Sequence, residues 1–141
     1  MQPHKEETIK ESKDIVLFEI AKKLKEKGYP QHWSNNDYIV ENEYEDNFEV
    51  GNYYERCLIP EHITTIAAPM IFEVVNWLLD KKKIFLTVDF EPKGFFFIVN
   101  SNITFNYEDV YEFDIFESNC TFSNPQEAYK EGIKYIIDKL I

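Results

Sequence analysis

Residues 84–101 read IFLTVDFEPKGFFFIVNS, and their period decides the fold. Ile84, Leu86, Val88 and Phe90 alternate with Phe85, Thr87, Asp89 and Glu91. Successive side chains leave a strand on opposite faces, so this period of two belongs to a half-buried strand and not to a helix. Pro92-Lys93-Gly94 then supplies turn residues and a second β-rich run fills 95–101, so the stretch predicts a β-hairpin. Within that run, Phe95-Phe96-Phe97 sends rings to both faces of the strand. Either helices cover both faces of the sheet or one face meets a partner chain.

The flanks supply the other layer. Downstream, 110–117 reads as a third strand with Tyr111, Phe113 and Ile115 on the buried side and Glu112 and Asp114 outside. Asn124-Pro125-Gln126-Glu127 combines a cap acceptor, a proline and an acid, and opens a helix through Leu140 with Ala128, Ile133, Ile136, Ile137 and Leu140 inward. Gly132 falls on it where the helix must approach something closely. Upstream, 70–81 carries an apolar stripe of Ile71, Val74, Val75, Leu78 and Leu79 behind Pro69, which suits a first helical turn. Near the start, 14–27 sets Ile15, Leu17, Phe18, Ala21 and Leu24 against lysines and Glu26, with Gly28 as a left-handed stop and Pro30 behind it. Residues 1–13 read as a polar tail and 14–141 as a single α+β domain: an antiparallel three-stranded meander packed against two or three helices.

Between Tyr29 and Pro60 the periodicity weakens and acids alternate with aromatics. Two β-rich runs, 37–44 and 53–59, flank Gly51; they read either as a hairpin extending the meander or as a long functional loop. Glu41, Glu43, Glu45, Asp46 and Glu49 would make a negative stripe, for which a solvated edge strand is the plainest reading. Trp33, Tyr38, Tyr44, Phe48, Tyr53 and Tyr54 lie among these acids, and aromatics with one polar end favour interfaces. The expected partner-binding set is therefore Tyr38, Glu41, Glu43, Tyr44, Glu45, Phe48 and Tyr54.

Composition narrows the classes. The chain has 141 residues, 44 % of them apolar and 16 % aromatic, which is enough for a core and excludes the disordered class. Its 15 basic and 26 acidic residues give a net charge of -11, a field that repels a phosphate backbone. No uninterrupted apolar run is long enough to span a bilayer, and 1–14 has no signal-peptide pattern, so a cytoplasmic protein is expected. Cys57 and Cys120 then read as two free thiols.

Chemistry-bearing spacings are sparse. Cys57 lies five residues before His62, but a thiolate nucleophile needs a base placed in space, and Cys57 reads as a small buried hydrophobe. His4, His32 and His62 have no metal-ligand spacing, and no calcium loop accompanies the acids. No cofactor and no metal are expected.

Two resemblances bear on the whole. Helix, three strands, helix is the element order of a double-stranded RNA-binding domain, and 125–130 (PQEAYK) invites the comparison, but Glu127 and Glu131 stand where phosphate-binding lysines are needed. The pair APMIFEVVNWLLDKKKI (68–84) and NPQEAYKEGI (124–133) resembles a group of small phage- and prophage-type proteins of Bacteroidetes genomes. That resemblance implies a Pro-led Trp-Leu helix, a β-meander and a capped C-terminal helix, and it brings no activity with it. The function expected is a non-catalytic, acidic protein-binding module of phage or mobile-element origin. Its partner would be a protein, with self-association open and neither membrane nor nucleic acid engaged directly. The competitors are a DNA-mimic inhibitor of a nucleic-acid-binding protein and an enzyme using Cys57 or His62.

Overall fold

A computed structural model describes residues 14–31, 36–42, 47–52, 64–105 and 111–141, with the backbone alone at 41, 42, 47–50, 52, 64, 105, 111 and 112. The expected tail at 1–13 lies outside the described residues. The chain divides into two compact units, Met1–Met70 and Ile71–Ile141.

In the first unit, helix α1 (Phe18–Glu26) buries Phe18, Ile20, Ala21 and Leu24 on one side. It starts later than the periodicity over 14–27 suggests, because Ile15 and Val16 are taken into extended pairing: Ile15 bridges Met70, and the Val16 N–H donates to the Pro69 carbonyl at 3.0 Å. Its end is as expected. Gly28 takes a left-handed φ of 92°, its N–H donates to Lys25 O, and the Tyr29 N–H reaches back to Leu24 O at 2.9 Å. Those are the two bonds of a Schellman cap, and they satisfy carbonyls the helix leaves open.

Strands β1 (Asn36–Asn42), β2 (Asn47–Asn52) and β3 (Thr64–Ala67) form an antiparallel sheet in the order β2-β1-β3. This hairpin belongs to its own sheet and does not extend the meander. Gly51, expected between the runs, lies inside β2 and pairs with Asp37, which pairs on its other side with Ala67. The two smallest residue types thus flank a buried carboxylate. The second expected run, 53–59, falls outside the described residues.

In the second unit, helix α2 (Ile71–Trp77) runs into a π-helical turn, Leu78–Lys82. Pro69 stands two residues ahead of it, its carbonyl held by Val16, so it precedes the first turn instead of occupying it. Ile71, Val74, Trp77 and Leu78 are buried, but the wider turn carries Leu79 out to solvent. Lys83 closes the turn in a left-handed conformation (φ 56°), and the Ile84 N–H returns to Leu78 O at 3.1 Å. The predicted hairpin follows as β4 (Phe85–Glu91) and β5 (Gly94–Phe105), paired from Phe85 with Asn100 to Glu91 with Gly94 around a two-residue Pro92-Lys93 turn. Strand β6 (Tyr111–Glu117) completes an antiparallel sheet in the order β4-β5-β6. A register shift at Ser101/Thr104, with Asn102 at φ 53°, lets β5 run past residue 101, where the pattern ended it. Beyond β6 the chain returns to β5: Phe95 and Phe122 exchange backbone hydrogen bonds of 2.9 and 2.7 Å.

Helix α3 (Pro125–Lys139) then crosses one face of this sheet. Its cap is the expected one, with Asn124 Oδ1 accepting the Glu127 N–H at 2.9 Å, while the Glu127 carboxylate accepts from the Ser123 hydroxyl. Ala128, Ile133, Ile136 and Ile137 are buried, whereas Leu140, just past the last turn, is exposed. Gly132 is the point of closest approach: a Cβ there would stand 2.5 Å from Leu86 Cδ1 and 3.2 Å from Phe97 Cγ. The Tyr135 ring stacks on Phe116 with centroids 4.1 Å apart and planes within 6°. The fold is α+β, with a three-stranded antiparallel meander carrying a helix, as the alternation implied.

Candidate functional site

The seat of α3 decides which side chains are left outside. Register places Leu86, Val88 and Phe90 of β4 in line with Val99, Phe97 and Phe95 of β5, and Val99 in line with Phe116 of β6. This is the face that Gly132 and Tyr135 cover. The opposite face therefore holds Phe85, Thr87, Asp89 and Glu91 from β4, Phe96, Ile98 and Asn100 from β5, and Phe113, Ile115 and Glu117 from β6. Tyr111, Phe113 and Ile115 were expected inward; the structure turns Phe113 and Ile115 to the other face, with Ile115 61 % exposed, and of Tyr111 only the backbone is described. The physical reason is the pairing of Phe116 with Val99, which puts the Phe116 ring under Tyr135 and sends its neighbours the other way.

Among the described residues of this unit, α3 is the helix that contacts both β4 and β5, and it does so from the other face. Phe85 and Ile115 are exposed at its two edge strands, and Phe96 and Ile98, in the central strand where coverage by neighbours is greatest, are still only half-buried. An antiparallel sheet with one solvated face ordinarily alternates apolar inside with polar outside. Here that alternation fails, and the four side chains mark an apolar strip across the three strands. Asn100 lies between Phe85 and Ile115, Ile98 between Thr87 and Glu117, and Phe96 beside Asp89. Among the described residues, every charged side chain on this face is a carboxylate: Asp89, Glu91 and Glu117. At the hairpin end, Phe90 stands 74 % exposed, with its ring 6.4 Å from that of Phe95.

The residues expected to bind a partner fare differently. Tyr38 is a core residue and not a surface ring: it is 1 % exposed, Phe18 meets it edge-on at 5.3 Å, and its hydroxyl donates to the Val16 carbonyl. Its face of β1 is shared with buried Val40 and Ile66, so strand alternation carries it inward whatever its acidic neighbours do. Glu41 and Phe48 lie on β1 and β2, where only the backbone is described, and Glu43, Tyr44, Glu45 and Tyr54 lie outside the described residues. So do His4, His32, Cys57 and His62, while Cys120 is an exposed free thiol. Among the described residues no three His, Cys, Asp or Glu side chains are grouped to hold a metal ion, and no helix is long and apolar enough to cross a membrane.

The strip itself went unnamed as a site in the sequence reading. Its signal was there in Phe95-Phe96-Phe97, which requires apolar groups on both faces of one strand, but only the position of α3 says which of them stays open. Comparison with protein-family models, with curated proteins and with solved structures finds no match.

Proposed function

We propose that this chain is a non-catalytic, acidic protein-binding module working in the cytoplasm, of the phage or mobile-element type that its Pro-led and capped helices resemble. The observation that carries the reading is the strip Phe85, Phe96, Ile98 and Ile115 on the sheet face opposite α3. Burying one such side chain fully is worth about 1.5–3 kcal/mol, so a fold that leaves Phe85 and Ile115 exposed forgoes stability that a partner would supply. Large apolar side chains ringed by charge are also where binding energy concentrates in protein interfaces.

The test is capture from a lysate of the native host by the immobilised protein and by a Phe85→Ser/Ile115→Ser double variant. Both positions are exposed, so the variant should keep the wild-type melting midpoint within a degree or two. A protein retained stoichiometrically by the wild type and at least tenfold less by the variant is the expected result. Equal capture by both, or by neither, overturns the reading.

A further inference from the structure

We infer that the open face of the meander takes a cationic amphipathic α-helix of a partner protein, an inference that rests on the protein-binding reading above. Three features of the face lead there. The first is charge. Among the described residues, its three charged side chains, Asp89, Glu91 and Glu117, are acids, and none of its strand positions holds Lys or Arg. An occupant must desolvate carboxylates next to the apolar strip, and lysines or arginines flanking its apolar side would compensate them. A second copy of this chain would instead set the same three acids against themselves, within a net charge of -11 on each copy.

The second is size. The strip runs from the register of Phe96 with Asp89 to that of Phe85 with Asn100, four residues along the strands, or about 13 Å, and three strands across, or about 10 Å. A helix presenting apolar residues at i, i+4 and i+7 spans about 10.5 Å along its axis and is about 10 Å wide, which matches the strip. The third is the sheet's own behaviour. Its other face already accepts one helix, α3, through rings and aliphatic groups of the same kinds: Leu86, Phe97 and Phe116 beneath Gly132 and Tyr135. A helix on each side of the sheet is the arrangement in which both apolar faces of Phe95-Phe96-Phe97 are covered.

The probe is an 18-residue peptide of Leu and Lys, with Leu at helical spacing on one side, titrated into the isotopically labelled full chain at physiological ionic strength and followed by amide and methyl NMR. Perturbations should concentrate at residues 85–89, 96–100 and 113–117. Asp89→Lys/Glu117→Lys should weaken binding at least tenfold. Glu131→Lys/Asp138→Lys makes the same change in net charge at exposed positions of α3, on the other side of the sheet, and should weaken it less than threefold. The same peptide with Glu in place of Lys should not bind. Equal weakening by the two pairs, perturbations centred elsewhere, or binding of the Glu peptide would overturn the inference. A wild-type chain that ignores the Lys peptide, yet loses its lysate partner on Phe85→Ser/Ile115→Ser, refutes the helix and leaves the binding reading standing. Capture untouched by the serine pair removes the binding reading itself.

Discussion

Gly132→Ala measures whether α3 rests where it must for the opposite face to be open. In an exposed helix interior this replacement stabilises by about 1 kcal/mol, because alanine loses less backbone entropy on folding. Here the new methyl would meet Leu86 Cδ1 at 2.5 Å, Leu86 Cδ2 at 3.1 Å and Phe97 Cγ at 3.2 Å. The first two atoms are the ends of a side chain that could swing away in open space, but Leu86 is fully buried and has nowhere to go. Overpacking of this kind costs about 1–3 kcal/mol, so the net expectation is a loss of about 1 kcal/mol. Leu86→Val removes both offending atoms and alone costs about 1 kcal/mol. In that background Gly132→Ala should become stabilising by about 0.5 kcal/mol, so the double-mutant cycle should return a favourable coupling of about 1.5 kcal/mol. Urea denaturation of the four proteins by far-ultraviolet circular dichroism, extrapolated linearly, resolves a difference of that size. A wild-type background in which Gly132→Ala stabilises by the full helix-propensity increment would show that α3 does not lie against Leu86, and the assignment of the open face would fall with it.

Other positions give independent checks. Asn124→Ala should destabilise by about 1 kcal/mol in the same urea assay, since it removes the acceptor of the Glu127 N–H, whereas Asn124→Asp should restore most of the loss. Tyr38→Phe should cost about 1–2 kcal/mol by leaving the Val16 carbonyl without the buried hydroxyl; an unchanged denaturation midpoint would mean that Tyr38 is not in the core. Gly94→Ala combines a φ of 143° with a Cβ only 2.6 Å from the Phe122 carbonyl oxygen, and should lower stability by about 2 kcal/mol or more in thermal melts. Lys83→Gly, at the left-handed close of the π-helical turn, should raise it by about 0.5 kcal/mol, and Lys83→Val should lower it.

What was legible in the sequence is what depends on neighbours in the chain. The hairpin over 84–101 follows from a two-residue period and a Pro-Lys-Gly turn, the cap of α3 from Asn124 and Glu127 three residues apart, and the end of α1 from Gly28. In each case backbone geometry over three or four residues settles the outcome, so composition at those positions is sufficient. Even the close approach at Gly132 was readable, because a glycine inside a helix is costly unless something needs the room.

Tertiary structure alone decided which faces are inside. β6 carries apolar groups on both alternations, Phe113 and Ile115 on one and Phe116 on the other, so its pattern is satisfied by either orientation. The choice falls to its register with β5 and to a helix that begins only after the sheet is complete, and both are contacts between residues far apart in the chain. Tyr38 teaches the same lesson in reverse: acids beside it in sequence suggested an exposed ring, but Phe18 and Val16, twenty and twenty-two residues earlier, enclose it. Alternation says that two faces differ; it does not say which one a distant helix will cover, and for this chain that choice creates the open strip of Phe85, Phe96, Ile98 and Ile115.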